Sequence, residues 1–213
     1  MKVVSVKKYK GSTYETEMDD GRKFYLHADI IADFGIRSGD ELEREELKKI
    51  IYASNFRRAF QYALHLLDYR DYSYREMFRK LEDTYKNENL CYKVMNKLVS
   101  IGVINDVRYA EKLARKFVEC KRFGRYRAGR ELAEKGIDSD TAEKALDRYE
   151  NLYEENLAYL LERKHSRLLT DESDRKSIEK VKNALVRYGY GFEEINRAVK
   201  EYFENADYTQ EDE

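Results

Sequence analysis

The feature that most narrows the fold of this 213-residue chain is an apolar pattern that returns about every 50 positions. Leu81, Leu132 and Leu185 take matching places in successive helical segments, 51 and 53 residues apart. Gly136-Ile137 and Gly189-Tyr190 repeat at a spacing of 53. Within each cycle three stretches carry the 3.6-residue apolar period of a helix. In the first cycle the stripes are Phe56, Ala59, Phe60, Ala63 and Leu67, then Tyr74, Met77, Phe78 and Leu81, then Cys91, Val94, Met95, Leu98 and Ile101. In the second they are Ala110, Leu113, Ala114 and Phe117, then Tyr126, Gly129, Leu132 and Ala133, then Ala142, Ala145, Leu146 and Tyr149. The third runs through Tyr153, Leu157, Leu160 and Leu161, then Ile178, Val181, Leu185 and Tyr188, and closes with Phe192, Ile195, Val199 and Tyr202. A three-helix unit of this size has a modest core and leans on its neighbours.

The chain contains no proline, the strongest helix breaker, which fits long helical stretches and argues against a turn-rich β-sandwich or barrel. Local signals set the helix ends. Ser73-Tyr74-Arg75-Glu76 is a capping box, and Asp106 and Asp138 or Ser139 are expected N-caps. Gly102, Gly136 and Gly189 are expected stops. The first 27 residues differ. Val3-Val4-Ser5-Val6, Tyr14 to Met18 and Lys23-Phe24-Tyr25-Leu26 are short β-forming runs, the last two split by Asp20-Gly21, a hairpin signal. Three small strands need cover, for which Ile30, Ile31, Ala32, Phe34 and Leu42 are the candidates. A helix is expected to begin near Glu41 or Glu43.

The expected architecture is mainly α: an elongated array of three tandem three-helix repeats behind a small N-terminal antiparallel β-rich extension. The expected boundaries are 1–45 for the extension, 46–105, 106–150 and 151–204 for the repeats, and 205–213 for an acidic, disordered tail.

The formal net charge of −1 hides a strong asymmetry. Residues 1–50 carry −1, 51–105 carry +3, 106–137 carry +5 and 138–213 carry −8. The densest basic run is Arg108 to Arg130, with nine Lys or Arg against Glu111 and Glu119. Arg108, Lys112, Arg115 and Lys116 recur at helical spacing opposite the apolar face. Lys121, Arg122, Arg125, Arg127 and Arg130 carry the charge through a turn into the next helix. Such a stripe suits nucleic-acid phosphates through counterion release, suits an acidic protein groove equally, or is simply a solvated helix face. The tyrosines of the stripes, Tyr74, Tyr126, Tyr149, Tyr153, Tyr188 and Tyr202, are expected to pack in the core, Tyr126 included; the alternative for Tyr126 is a stacking platform for a single strand.

Enzyme chemistry finds no support. His27, His65 and His165 lack metal-ligand spacing, and His65 is expected to be a packed helix residue. Cys91 falls on an apolar stripe and is expected in the core. Cys120 has no partner pattern of a nucleophile, and two cysteines are too few for a disulfide scaffold. No phosphate-cradling glycine loop follows a strand. No cofactor or metal is expected. The chain lacks an apolar run of about 18 residues and a secretory leader, so a soluble, cytoplasmic protein without a membrane partner is expected.

Several landmarks are specific in combination. Arg70 to Leu81 resembles the first-repeat signature of the RecX family, regulators of the RecA recombinase. Ile104-Asn105-Asp106-Val107-Arg108-Tyr109-Ala110 is similar to that family's junction between first and second repeats. Gly124 with Glu131 to Ile137 resembles its second repeat, and Leu185 to Tyr190 its third. The resemblance spans about residues 50–203 in order, and a small β-rich N-terminal extension also occurs in part of the family. It implies a non-enzymatic regulator acting in DNA repair, homologous recombination and the SOS response. Such a protein binds RecA and RecA–single-stranded-DNA filaments and mostly inhibits their recombinase, ATPase and coprotease activities. The implied partners are the RecA filament and single-stranded, also double-stranded, DNA, for a monomeric protein. The nine basic residues from Arg108 to Arg130 are the candidate contacts. The rival classes are a helical DNA-binding transcriptional regulator, which would read bases from the N-terminal end of a helix such as Gly124-Arg125-Tyr126-Arg127, and a structural helical-repeat scaffold.

Overall fold

A computed structural model describes the backbone of residues 1–211 and side chains as far as Asn205. The tail expected over 205–213 lies, past Asn205, outside the residues whose side chains are described. The chain divides into two compact units, Met1–Arg70 with Met77–Val103, and Asp71–Glu76 with Ile104–Glu213.

The first unit opens with strands β1 (Val3–Lys10), β2 (Thr13–Met18) and β3 (Lys23–His27), an antiparallel sheet in the order β1-β2-β3. The Asp20-Gly21 turn closes through Met18 N to Arg22 O at 2.9 Å and Gly21 N to Met18 O at 3.0 Å. The register sets Tyr14 opposite Leu26 and Thr16 opposite Phe24. Val3, Met18 and Leu26 bury one face against Ile30 of α1 (Ala28–Asp33), Ile36, Leu42, and Leu47 and Ile50 of α2 (Arg44–Tyr69). The expected cover therefore includes Ile30 and Leu42, and the first turns of α2 complete it. The helix start near Glu43 and the stripe from Asn55 to Leu67 belong to this single 26-residue helix. Farther along, α2 packs against α4 (Glu88–Ser100), which buries Leu90, Cys91, Val94, Met95 and Leu98. Cys91 is a core residue as expected. His65 is not: it is exposed on α2, its ring set edge-on to Tyr69 at 5.0 Å.

The second unit takes in the entry to α3 (Tyr74–Tyr85). It continues through α5 (Asp106–Arg115), α6 (Arg125–Glu134), α7 (Ser139–Leu146), α8 (Glu150–Leu160), α9 (Arg175–Tyr188) and α10 (Phe192–Glu211). Both α5 and α8 run on into a π turn, Lys116–Cys120 and Leu161–His165. Helices α5 to α10 share one core, in which Ala110, Leu113, Phe117, Leu132, Leu146, Leu157, Leu160, Leu185 and Ile195 are buried. The leaning of small units on one another is thus literal for the second and third sets of three helices.

The capping box forms as expected: Glu76 N donates to Ser73 Oγ at 3.1 Å, and Ser73 N to Glu76 Oε2 at 3.4 Å. Asp138 caps α7 through Thr141 N at 2.9 Å. Asp106 departs from expectation. Asn105 caps α5, accepting from Arg108 N at 2.9 Å, while Asp106 Oδ1 accepts from Tyr74 N at 2.8 Å and so caps α3. Periodicity also points two aromatic residues the wrong way. In α6 the buried residues are Ala128 and Leu132, and Tyr126 is 73% exposed. In α10 Ile195 and Val199 are buried as expected, but Phe192 is 70% exposed. Tyr126 lies about 200° round the helix from Ala128, on the side away from the buried pair, and Phe192 is the first residue of α10.

Glycine joins these helices end to end. At the C-terminus of α9, Gly189 adopts φ +94, and a Cβ there would lie 2.4 Å from Arg127 N. Gly124 N donates to Tyr188 O at 2.9 Å and Tyr126 N to Gly189 O at 3.1 Å, so α6 starts on the carbonyls that end α9. The C-terminus of α6 meets the first turn of α3 in the same way. Gly136 has φ +80, and Ser73 Oγ donates to Lys135 O at 2.6 Å.

Candidate functional site

The basic run occupies α5, its π turn, and α6. Apolar Ala110, Leu113 and Ala114 turn one side of α5 into the core, which leaves Arg108, Lys112, Arg115 and Lys116 exposed on the other side. The stripe expected on this helix is therefore present in space. Lys112 Nζ reaches Asp71 Oδ2 at 2.5 Å, and Arg115 Nε pairs with Glu119 Oε2 at 3.0 Å one turn on. The Glu119 carboxylate holds the Arg115 guanidinium above the usual arginine range. Exposed pairs of this kind contribute between 0 and about 1 kcal/mol and exchange readily for another anion.

The turn that follows is built differently. Residues Lys116–Cys120 add an extra residue to the helical turn, a device found often at functional sites. Arg122 then takes a left-handed φ of 55. Its Nη1 donates to Asn156 Oδ1 at 2.5 Å, its guanidinium lies 3.8 Å from the centre of the Tyr159 ring, and its carbonyl accepts from Tyr190 Oη at 3.0 Å. Asn156 is fully buried and also donates from Nδ2 to Val118 O at 3.0 Å. A buried amide satisfied on both ends fixes both groups it joins. Burial pushes the Tyr153 phenol, one turn before Asn156, up to about 12, and raises that of Tyr190 further.

Phe123, buried behind the turn, gathers two cations. The Arg127 guanidinium stacks 3.8 Å from the centre of its ring, and Lys121 Nζ sits 5.2 Å away. Arg127 Nη1 also donates to Arg187 O at 3.1 Å. Arg125 is turned toward Asp147 and Glu150, its Nη1 3.1 Å from Glu150 Oε2, and the Asp147 hydrogen bond raises its already high pKa. Lys116 and Arg130 are exposed and form no ion pair among the described residues.

The nine expected binding residues thus fall into two kinds. Arg108, Lys112, Arg115, Lys116 and Arg130 present charge to solvent, and Lys121 stands on an aromatic platform at the turn. Arg122, Arg125 and Arg127 are engaged with the protein itself. Between the last two, the Tyr126 ring projects outward past Gly191, where an added Cβ would lie 3.6 Å from Tyr126 Cε2. Asn156, Phe123 and Tyr159 are not among the residues that the charge pattern picks out. A signal for Asn156 is nonetheless present in the sequence, since it falls on the stripe of Tyr153, Leu157 and Leu160, where a polar residue must find a buried partner. Among the described residues no group of three or more His, Cys, Asp or Glu is placed to hold a metal ion. No helix there is long and apolar enough to cross a membrane.

Comparison with known proteins gives these helices a family. The model of the second three-helix domain of RecX matches residues 105–146, and that of the third matches residues 152–199. The regulatory protein RecX of Clostridioides difficile is 27% identical over 183 residues, 85% of each chain. A crystal structure of regulatory protein RecX shares the fold with a TM-score of 0.73, covering 94% of this chain and 98% of its own at 20% identity. The crystal structure of RecX from Lactobacillus salivarius aligns with a TM-score of 0.65 and 29% identity over 70% of this chain and 97% of its own. Two domain models matched in order, together with likeness in sequence and fold over most of the chain, place the chain in the RecX family.

Proposed function

We propose that this chain is a non-enzymatic regulator that binds RecA–single-stranded-DNA filaments and restrains their growth, ATP hydrolysis and coprotease activity. Family membership supports RecA as the partner. The observation that carries a binding mechanism is the exposed cationic face of α5 with Arg130 of α6, built over a turn whose internal bonds keep it rigid. A preformed cationic surface binds an anionic polymer with little loss of conformational freedom, since its backbone is already ordered. Phosphates of the bound strand or acidic side chains of the filament are the anions it fits. Tyr126 adds an exposed aromatic ring beside these charges, suited to stack on an unpaired base.

The duplex-reading alternative is disfavoured by the start of α6. A recognition helix needs its first turn free for base edges. Here Gly124 N and Tyr126 N are bonded to Tyr188 O and Gly189 O, and Arg125 and Arg127 are bound to neighbouring groups. The deciding experiment adds the purified chain to its host's RecA on single-stranded DNA and follows ATP hydrolysis and filament length. The expected result is a dose-dependent fall in both. An unchanged rate, with no filament binding at several-fold excess over filament ends, refutes the proposal.

A further inference from the structure

Two large rings stand in the open where α6, α9 and α10 meet: Tyr126 in the first turn of α6 and Phe192 at the start of α10. We propose that Phe192 is a second stacking platform, holding the base next to the one on Tyr126, so that this joint grips two neighbouring unpaired bases of a single strand. The inference rests on the reading of the basic face given above. It carries the contact surface into the third three-helix domain, residues 152–199, although residues 138–213 have a net charge of −8.

The backbone brings the two side chains together and holds them. Tyr126 N donates to Gly189 O at 3.1 Å. The Tyr126 ring lies along Gly191, where an added Cβ would come within 3.6 Å of Tyr126 Cε2, and Phe192 is the next residue. Gly191 N donates to Glu194 Oε2 at 2.7 Å, and Ile195 N to Gly191 O at 3.0 Å, so the first turn of α10 closes behind Phe192. Neither ring stacks on another side chain or carries a cation among the described residues, and the Tyr126 hydroxyl makes no hydrogen bond there. Both rings therefore stand on ordered backbone with their surfaces given to solvent.

The charge beside the rings selects the partner. Arg130 lies one helical turn beyond Tyr126, on the same side of α6. Arg187 stands in the last turn of α9, two residues before Gly189. Both are exposed and form no ion pair among the described residues. Against them stands Glu193, exposed next to Phe192, while Glu194 is turned back onto Gly191 N. Two unpaired cations to one unpaired carboxylate favour an anionic polymer. Aromatic platforms flanked by cations are the general means of holding a single strand, and they tolerate any sequence because every base has a π-face. A duplex keeps its base faces inside the stack, so a pair of platforms fits only an unpaired strand.

The chain contains no tryptophan, so Phe192→Trp places a single indole at the site, and its emission reports stacking without background. The full-length variant is titrated with oligothymidylate. In parallel, the parent, Phe192→Ala and Phe192→Tyr are titrated against the fluorescein-labelled strand and followed by anisotropy. The expected result is saturable quenching of the indole over the range in which anisotropy rises, with little quenching by the same strand annealed to oligoadenylate. Phe192→Ala should weaken binding about tenfold, and Phe192→Tyr less than about twofold. The ring is exposed, so both variants should keep the parent's circular dichroism. Affinity unchanged in Phe192→Ala, with no quenching of the indole, overturns the second platform and leaves the basic face and Tyr126 standing. Equal quenching by the duplex overturns it too. So does an indole emission that shifts with RecA alone and not with the strand, which would assign the rings to a protein contact. If the parent itself fails to bind the strand, the reading of the basic face falls, and the role of Phe192 falls with it.

Discussion

Gly124 and Gly189 meet backbone to backbone: a Cβ on Gly124 would lie 2.4 Å from the Gly189 carbonyl oxygen. At this junction the carbonyl pole of α9 docks onto the N–H pole of α6, so each helix end satisfies groups the other leaves open. Gly136, 53 residues before Gly189, plays the same part for α6 against Ser73 and Arg75 at the entry to α3. The repeated glycine is therefore a helix stop and a joint at once. A side chain at either place would force the helix ends apart.

The joint predicts unequal costs for identical substitutions. Gly102 also has positive φ, +73, but a Cβ there meets nothing within 4 Å. Gly102→Ala should lose only the left-handed penalty, about 1 kcal/mol. Gly189→Ala adds a 2.4 Å approach to the Arg127 backbone nitrogen, and should cost about 2–4 kcal/mol in all. Urea unfolding followed by circular dichroism measures both. Equal losses would mean that the joint yields without resistance.

Asn156 supplies a second test of the turn. It satisfies Val118 O and the Arg122 guanidinium together. Asn156→Leu keeps the branched shape but strands a buried carbonyl and one side of a cation, for an expected loss of about 2–3 kcal/mol. Asn156→Ala should cost at least as much, since a cavity adds to the broken hydrogen bonds. A loss below about 0.5 kcal/mol for Asn156→Leu would show that water replaces the amide.

Alkaline pH should unfold the second unit through two phenols. Tyr153 is raised from 10 to about 12 in the folded chain, first of all by burial, and Tyr190 is raised in the same direction for the same cause. A phenol whose folded pKa exceeds its unfolded pKa gives stability that is complete below the unfolded value. That stability falls as pH rises toward the folded value, because only the unfolded chain releases the proton. The decline for Tyr153 therefore lies between pH 10 and about 12, and amounts to about 3 kcal/mol. Tyr153→Phe and Tyr190→Phe together should flatten the stability profile over that window. An unchanged slope would assign the alkaline transition to other groups.

Much of this fold is legible in the sequence because it rests on local rules. The three strands follow from β-forming runs around Asp20-Gly21, and the helix stops at Gly136 and Gly189 from their place after an apolar stripe. Periodicity misplaces Tyr126 because Tyr126, Gly129 and Ala133 form one apolar line along α6 while the line that packs is Ala128 and Leu132, nearly opposite Tyr126; at Phe192 it fails on the first position of α10. It fails at Asp106 because the residue next to a cap can serve a helix 32 positions earlier in the chain, which no local rule encodes. The basic run is visible as charge, yet its division is not. Arg122 and Arg127 owe their bonds to Asn156, Tyr159 and Arg187, partners brought near only by tertiary packing.

That division yields the sharpest prediction about the candidate surface. Lys116 and Arg130 are exposed and form no ion pair among the described residues, so Lys116→Glu with Arg130→Glu should change stability by no more than about 0.5 kcal/mol. If these side chains meet phosphates, the same double variant should weaken single-stranded DNA binding and reduce the salt slope by about 0.7 for each phosphate no longer engaged. Arg125→Gln with Arg127→Gln should behave in the opposite way. It breaks the links to Asp147 and Glu150, the stack on Phe123 and the bond to Arg187 O, for a stability loss of about 1–2 kcal/mol. Its salt slope should fall less than that of the Lys116 and Arg130 variant, because both guanidinium groups are already engaged with groups of the protein itself. Binding titrations at several salt concentrations, paired with urea unfolding of each variant, separate the two outcomes. A salt slope that falls with Arg125 and Arg127 but not with Lys116 and Arg130 would move the binding surface to the start of α6.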